Sequence, residues 1–254
     1  MPDINQVTNF FLVFLRAVAF VTAGPLLAFR GIPSIFRVGL PFFLAIVLYP
    51  LVGDLPERTG GAWEYGLAAV SEVGVGLLLG FTVTLIVNSI RVAGQFIDLQ
   101  IGYAMSAMAD PLSGMQSTLI AQFFYYLAFV LFLVMDGHHL LILALAKSYE
   151  MVPLGMAHIS NGVGYQLIQT FSGAITISLR VAAPVLSVLL ISDLTLGFLS
   201  RTTPQINVFL TGFLIKIMVG MLVLAFMIPF MGTVMQSVIS VLENDLYTLL
   251  RALM

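Results

Sequence analysis

Four long runs of this chain carry no charge. Val38–Gly53 holds 16 uncharged residues, Val73–Ile90 holds 18, Pro111–Met135 holds 25 and Ile217–Leu242 holds 26. A helix of 26 residues is about 39 Å long, and a bilayer's hydrocarbon core is roughly 30 Å thick. These runs therefore predict helices that cross a membrane, with tilt or an emerging end absorbing the excess length. Two further apolar stretches are interrupted, Ile4–Phe29 by Arg16 and Gln166–Leu199 by Arg180, Pro184 and Asp193. A β-barrel would need strands of roughly 9–11 residues alternating polar and apolar, and no such alternation is present. The pattern predicts an all-α fold.

Composition removes several other classes. Of 254 residues, 60% are hydrophobic and 9% are charged, with a net charge of −2. Soluble domains carry about 25% charged residues, so this chain cannot cover a globule with water-compatible surface. A soluble enzyme, a disordered segment and a nucleic-acid binder are excluded on that ground. The chain has no Cys, hence no disulfide, thiolate zinc site or Cys nucleophile. Asp3 stands where a signal peptide would be basic, so the N-terminus is expected to be retained. Arg30 and Arg37 flank a basic turn expected on the cytoplasmic side, and the acidic loop Asp54–Glu64 is expected on the other. The turn-rich stretch Val152–Gly164 predicts the main internal boundary, between a front part (1–155) and a back pair of long helical segments (165–254).

The charges inside the apolar runs carry the chemistry: Arg16, Glu72, Asp98, Arg180, Asp193 and Lys216. A charge at the bilayer centre costs about 2.5–3.5 kcal/mol, so such residues face protein or water and usually pair. Three bases and three acids predict ion pairs between helices or between subunits. For Arg16 and Lys216 the alternative is a long side chain reaching the headgroups. So many charges in the apolar runs also imply that other subunits cover much of the surface. Gly74, Gly76 and Gly80 lie on one uncharged run, and the Gly76–Gly80 step permits close helix packing.

The segment Gly94–Thr118 is polar by this chain's standards, and it places Met105, Met108 and Met115 among Gly, Ser and Ala. Flexible thioethers with small neighbours can repack around something that moves, and Asp110-Pro111 breaks a helix. Irregular backbone at membrane depth is tolerated against protein or an aqueous cavity. The segment is therefore either a loop that plugs a pore or an amphipathic surface loop.

Asp136-Gly137-His138-His139 reads as a turn with capping histidines. Adjacent His on a helix diverge, no third ligand stands at helical spacing, and no metal is expected there. Neither a Ser/His/Asp arrangement nor a nucleotide-binding loop is present, so neither an enzyme nor a cofactor is expected. Arg201, Pro204, Gln205 and Asn207 form a polar corner between the two back helices, where a partner could dock.

Four strings together resemble one family: RVGLPFFLAIVL (37–48), GQFIDLQIGYAM (94–105), DGHHLLI (136–142) and AAPVLSVLLISDLTLGFLSRTTPQINVF (182–209). The chain resembles the FliR family of flagellar export-gate membrane proteins, whose injectisome counterparts are the T components of type III secretion. The resemblance spans nearly the whole chain, and the 182–209 string is its most specific part. It implies a non-catalytic subunit of a helical, pseudo-symmetric gate that passes unfolded proteins across the bacterial inner membrane. The implied partners are the P and Q components, the switch protein (B component) and the large A component. The front part would be similar to the P component and the C-terminal hairpin to the Q component. The resemblance implies an inserted plug over Gly102–Gln116, with Gly102, Met105, Met108, Asp110, Pro111 and Met115 as its gating positions. It also carries over Gly94, Asp98, Gln100, Asp136–His139 and the corner Arg201, Pro204, Gln205 and Asn207 in structural or gating roles. The implied location is a flagellar basal body or injectisome base, with the string LSRTTPQINVF pointing to the flagellar one. The runner-up reading of the residues is a secondary transporter of a small solute, since broken helices and intramembrane charges suit that class too. An intramembrane hydrolase is a third class, and it would need a nucleophile and base in contact.

Overall fold

A computed structural model describes residues 4–25, 33–52, 62–103, 118–158, 161–202 and 208–254. Among them every regular element is helical. The elements are α1 (Ile4–Ala23), α2 (Ser34–Leu48), α3 (Ala62–Ile101), α4 (Leu119–Val134), α5 (Gly137–Met151), α6 (Asn161–Thr202), α7 (Val208–Met227) and α8 (Met231–Ala252). Prolines punctuate two of the uncharged runs. Pro50 lies in a short 3₁₀ turn, Tyr49–Leu51, that follows α2, and Pro229 lies in another, Ile228–Phe230, between α7 and α8. The uncharged run Ile217–Leu242 is thus two helices, not one. Pro lacks an N–H and tightens the chain into 3₁₀ geometry. Pro184 by contrast stays inside α6, which runs for 42 residues. The turn expected at Asp136-Gly137 is present. Asp136 adopts a left-handed conformation (φ 58°), and α4 and α5 bend by 70° across it.

Among the described residues four helical stretches are long and apolar enough to cross a membrane, Gln6–Ala23, Trp63–Ile101, Asn161–Thr202 and Thr211–Ala252. The bent pair α4–α5 makes a fifth if it counts as one span. The protein is an all-α membrane protein. Of the most apolar 18-residue stretch within Thr211–Ala252, only 11% is buried against the rest of the chain. Its remaining surface is left for lipid or for other proteins.

Contacts divide the chain into two compact units, each assembled from separate stretches. The first comprises Met1–Val87, Asp136–Ser172 and Ile239–Met254; the second comprises Asn88–Met135 and Gly173–Val238. Both draw residues from either side of the helix-free stretch 152–158, so compactness does not follow chain order.

In the first unit, α1 packs on α2 through edge-on aromatic contacts of Phe10 and Phe14 with Phe42. α1 also crosses α3 where the small residues were noted. A Cβ on Gly76 would stand 2.7 Å from the Ala19 Cβ, and one on Gly80 the same distance from the Ala23 Cβ. Gly74 faces open space. The Gly76–Gly80 step is therefore a helix crossing with backbone in contact, as small residues allow. Gly76→Val should destabilise the chain by about 1–3 kcal/mol through overpacking. Gly74→Val should be near neutral, and thermal unfolding in detergent compares the two. Leu12, Val13, Leu79, Val83, Leu141 and Leu249 belong to this unit's core. In the second unit, Ile90, Ile97, Phe124, Val185, Leu189 and Met235 are buried.

Candidate functional site

Two buried polar clusters stand out, one in each unit. The first is built on Arg16 in α1 and Glu72 in α3, both fully buried, with Arg16 Nε 2.6 Å from Glu72 Oε2. The rest of the guanidinium is also engaged. Nη1 donates to the Ser148 carbonyl (2.7 Å) and Nη2 to the Val152 carbonyl (2.9 Å). Those carbonyls belong to the C-terminal end of α5, where the helix carries partial negative charge, and the Ser148 carbonyl also accepts the Val152 N–H at 3.0 Å. The Tyr149 ring lies 4.6 Å from the guanidinium carbon, and its hydroxyl donates to the Val13 carbonyl. The second Glu72 oxygen accepts the Gly155 N–H at 2.6 Å. Gly155 has a positive φ of 67°, which suits a residue without a Cβ. The pair thus fastens α1, α3, the end of α5 and the stretch 152–155 to one another. His158 N–H, which donates to the Leu253 carbonyl, ties the same stretch to the C-terminus.

The second cluster centres on Asp98, fully buried near the end of α3. No base meets Asp98 among the described residues. Its oxygens accept from the Thr118 hydroxyl, from Ile120 N–H (3.2 Å) and from Ala121 N–H (2.8 Å). Ile120 and Ala121 occupy the first turn of α4, and Thr118, at its N-cap, makes no cap bond with its own side chain. A carboxylate from another helix therefore performs the capping. It sits at the positive end of the helix dipole, which stabilises it without a cation. Close backbone contact makes this possible, since a Cβ on Gly94 would meet the Ala121 Cα at 2.6 Å. Beside it, Asp193 of α6 pairs with Lys216 of α7 and accepts Gln100 Nε2 at 3.0 Å. This pair is partly exposed, 37% for Asp193 and 22% for Lys216, and so contributes less than a buried one. Gly102 closes α3 with φ 104°, and Tyr103 meets Phe213 edge-on at 6.4 Å between ring centres.

Two of the six charges expected to be buried thus pair as Arg16–Glu72, and two as Asp193–Lys216, partly exposed. Asp98 is buried but capped, and Arg180 is exposed. Arg180 lies on the outer face of α6, whose inner face is formed by Ser178, Val181, Ala182 and Val185. One intramembrane charge was missed. Arg91 of α3 places its guanidinium 5.5 Å from the Tyr125 ring, and its buried Nε finds no hydrogen-bond partner among the described residues. The signal was available, since Arg91 ends the uncharged run Val73–Ile90. Ser148, Tyr149 and Thr118, the polar groups that complete the clusters, carried no pattern of their own.

At the α4–α5 bend, the expectation that the two histidines diverge also fails. The His138 and His139 ring centres lie 4.4 Å apart. His139 Nδ1 lies 3.3 Å from Asp136 Oδ1, both side chains being 73% exposed. Asp136, His138 and His139 bring one donor atom each within 4.8 Å of one another. These are the described residues that could approach a cation together. The adjoining N-terminus of α5 opposes positive charge.

Met105, Met108, Asp110, Pro111 and Met115 of the expected plug lie outside the described residues, as do Pro204, Gln205 and Asn207 of the corner. Arg201 is exposed in the last turn of α6.

Residues 7–242 match the family described as bacterial export proteins, family 1. The chain is 34% identical to the flagellar biosynthetic protein FliR of Bacillus subtilis (strain 168), covering 95% of this chain and 94% of that protein. It is 32% identical to the FliR of Pectobacterium carotovorum over 89% of this chain and 86% of the relative. It is 28% identical to that of Escherichia coli (strain K12), with 92% and 90% covered.

Proposed function

The chain belongs to the bacterial export proteins of family 1, and we propose that it works as a non-catalytic subunit of the flagellar type III export gate in the bacterial inner membrane. One observation carries the reading: the match runs along nearly the whole chain, with relatives named for flagellar biosynthesis covered almost end to end. The comparisons lead to export proteins, and the solute-transporter alternative is set aside on that ground. Physical features support assembly with other proteins. The most apolar 18-residue stretches within Asn161–Thr202 and Thr211–Ala252 are only 33% and 11% buried within the chain. The polar groups of the two buried clusters hold helices together, with hydrogen bonds made to backbone and to one another. Such a framework supplies shape, while the energy for export would come from another component.

The finer reading keeps the expectations drawn from the sequence. The partners are the P and Q components, the switch protein and the large A component, and the cargo is unfolded protein. The front part, 1–155, is the P-like portion and the hairpin 165–254 the Q-like portion, with the corner at Arg201, Pro204, Gln205 and Asn207 docking a neighbour. Gly102, Met105, Met108, Asp110, Pro111 and Met115 belong to the element that closes the channel. The support is the composition of that stretch, small residues interleaved with thioethers. Deleting residues 104–113 in a cell that expresses the assembled gate should raise membrane permeability to small ions severalfold. Dye efflux or conductance measures this. Unchanged permeability with a normally assembled gate would remove the closing role.

A further inference from the structure

Among its described residues the second unit has more bases than acids. Its described acids are Asp98 and Asp193; its described bases are Arg91, Arg180, Arg201 and Lys216. Both acids are occupied. Asp98 is surrounded by the Thr118 hydroxyl and two N–H groups of α4, and Asp193 by Lys216 and Gln100. Arg91 has at least the face of Tyr125. Arg180 has no hydrogen bond, ion pair or ring contact to any described residue.

The placement of Arg180 sharpens the imbalance. It stands near the middle of α6, 19 residues from Asn161 and 22 from Thr202, or about 30 Å from either end. Its neighbours on the exposed side are apolar in both directions: Ile175 and Leu179 towards the N-terminus, Leu190, Ile191 and Leu194 towards the C-terminus. Along the same face lie small exposed residues, Thr176 and Ala183 one turn away and Ser187 two turns away. A guanidinium set in an apolar, close-packing face is costly against lipid and favourable against an acid.

We propose that the exposed face of α6 around Arg180 is covered by an apolar helix of a different polypeptide, one that brings an Asp or Glu carboxylate to the Arg180 guanidinium. Arg presents a planar fork that matches a carboxylate with two parallel hydrogen bonds, strongest where water is excluded. A second copy of this chain, which also carries exposed acids at Glu64, Glu150 and Glu243, is the rival occupant that the crosslink below distinguishes. The inference rests on the reading that the chain works inside a multi-subunit export assembly, and it adds the chemistry of one neighbour.

The test uses the full chain co-expressed with the other membrane proteins of the export apparatus. A photoreactive benzoylphenylalanine at position 180 should crosslink to one partner, on a helix that carries an Asp or Glu. Arg180→Glu should reduce recovery of that partner at least tenfold, and Arg180→Lys should largely retain it. Changing the partner's acid to Lys should restore recovery with Arg180→Glu. Because Arg180 is exposed, the thermal unfolding of the Arg180→Glu chain alone should match the unsubstituted chain. If it does not, the Lys variant and the charge-swap rescue still decide the matter. Crosslinks to lipid alone or to a second copy, or recovery unaffected by Arg180→Glu, would overturn the proposal while leaving the gate reading intact. If the unsubstituted chain is recovered without any export protein, both fail together.

Discussion

Glu72→Ala is expected to be among the most damaging single substitutions in this chain, lowering stability by about 3–5 kcal/mol. Breaking a buried pair from one side leaves a charge with neither water nor a counter-ion. Arg16 would keep its bonds to the Ser148 and Val152 carbonyls but lose its anion. Gly155 N–H would lose its acceptor as well. The loss should appear as a lower midpoint of thermal unfolding for the chain purified in mild detergent. Earlier proteolysis in the stretch 152–158 should accompany it, since that stretch is held through these groups. Arg16→Met combined with Glu72→Met should cost less than either single change, because no uncompensated charge remains. It should not be neutral, since two carbonyls and an N–H lose partners. A midpoint for Glu72→Ala within a degree or two of the unsubstituted chain would show that the pair does not hold the unit together.

Asp98→Ala should come next in effect. It strips the acceptor from two backbone N–H groups in the first turn of α4 and from the Thr118 hydroxyl. Each buried donor left unsatisfied costs about 1–3 kcal/mol. Asp98→Asn should lie between the two, because its amide oxygen can still accept while its NH₂ faces donors and finds none of its own. Hydrogen exchange gives the local readout. The amides of Ile120 and Ala121 should lose protection in Asp98→Ala, while those of Leu145 and Ser148 in the other unit should not. If Ile120 and Ala121 exchange at unchanged rates, the cap is not made by Asp98. Motility of cells carrying the variant gives the functional readout, with loss expected.

The physics of these substitutions separates what was legible in the residues from what was not. Helix positions could be read because a membrane helix announces itself through missing charge. Val73–Ile90 falls inside α3, and the bend at Asp136-Gly137 stands where a turn was expected. The close crossing at Gly76 and Gly80 was also readable, since only small side chains let two helices touch. Finer boundaries depended on proline. Pro229 splits an uncharged run while Pro184 does not, and a hydrophobic pattern alone cannot distinguish the two cases.

Partner choice was the opposite case. From residue types alone, three acids and three bases imply ion pairs between helices or between subunits. Among the described residues two such pairs form between helices, and Asp98 is satisfied by hydroxyl and amide donors. Arg91 went unremarked because it lies at a run's edge, yet it is held against Tyr125. The sequence by itself determined that this chain is helical, built for a membrane, and charged at a few costly positions. Charge content and apolar run length act locally, without reference to the fold. Only the tertiary structure decided which groups answer those charges. That depends on which backbone ends, hydroxyls and rings, often more than a hundred residues away as for Arg16 and Ser148, the packing brings within about 3 Å.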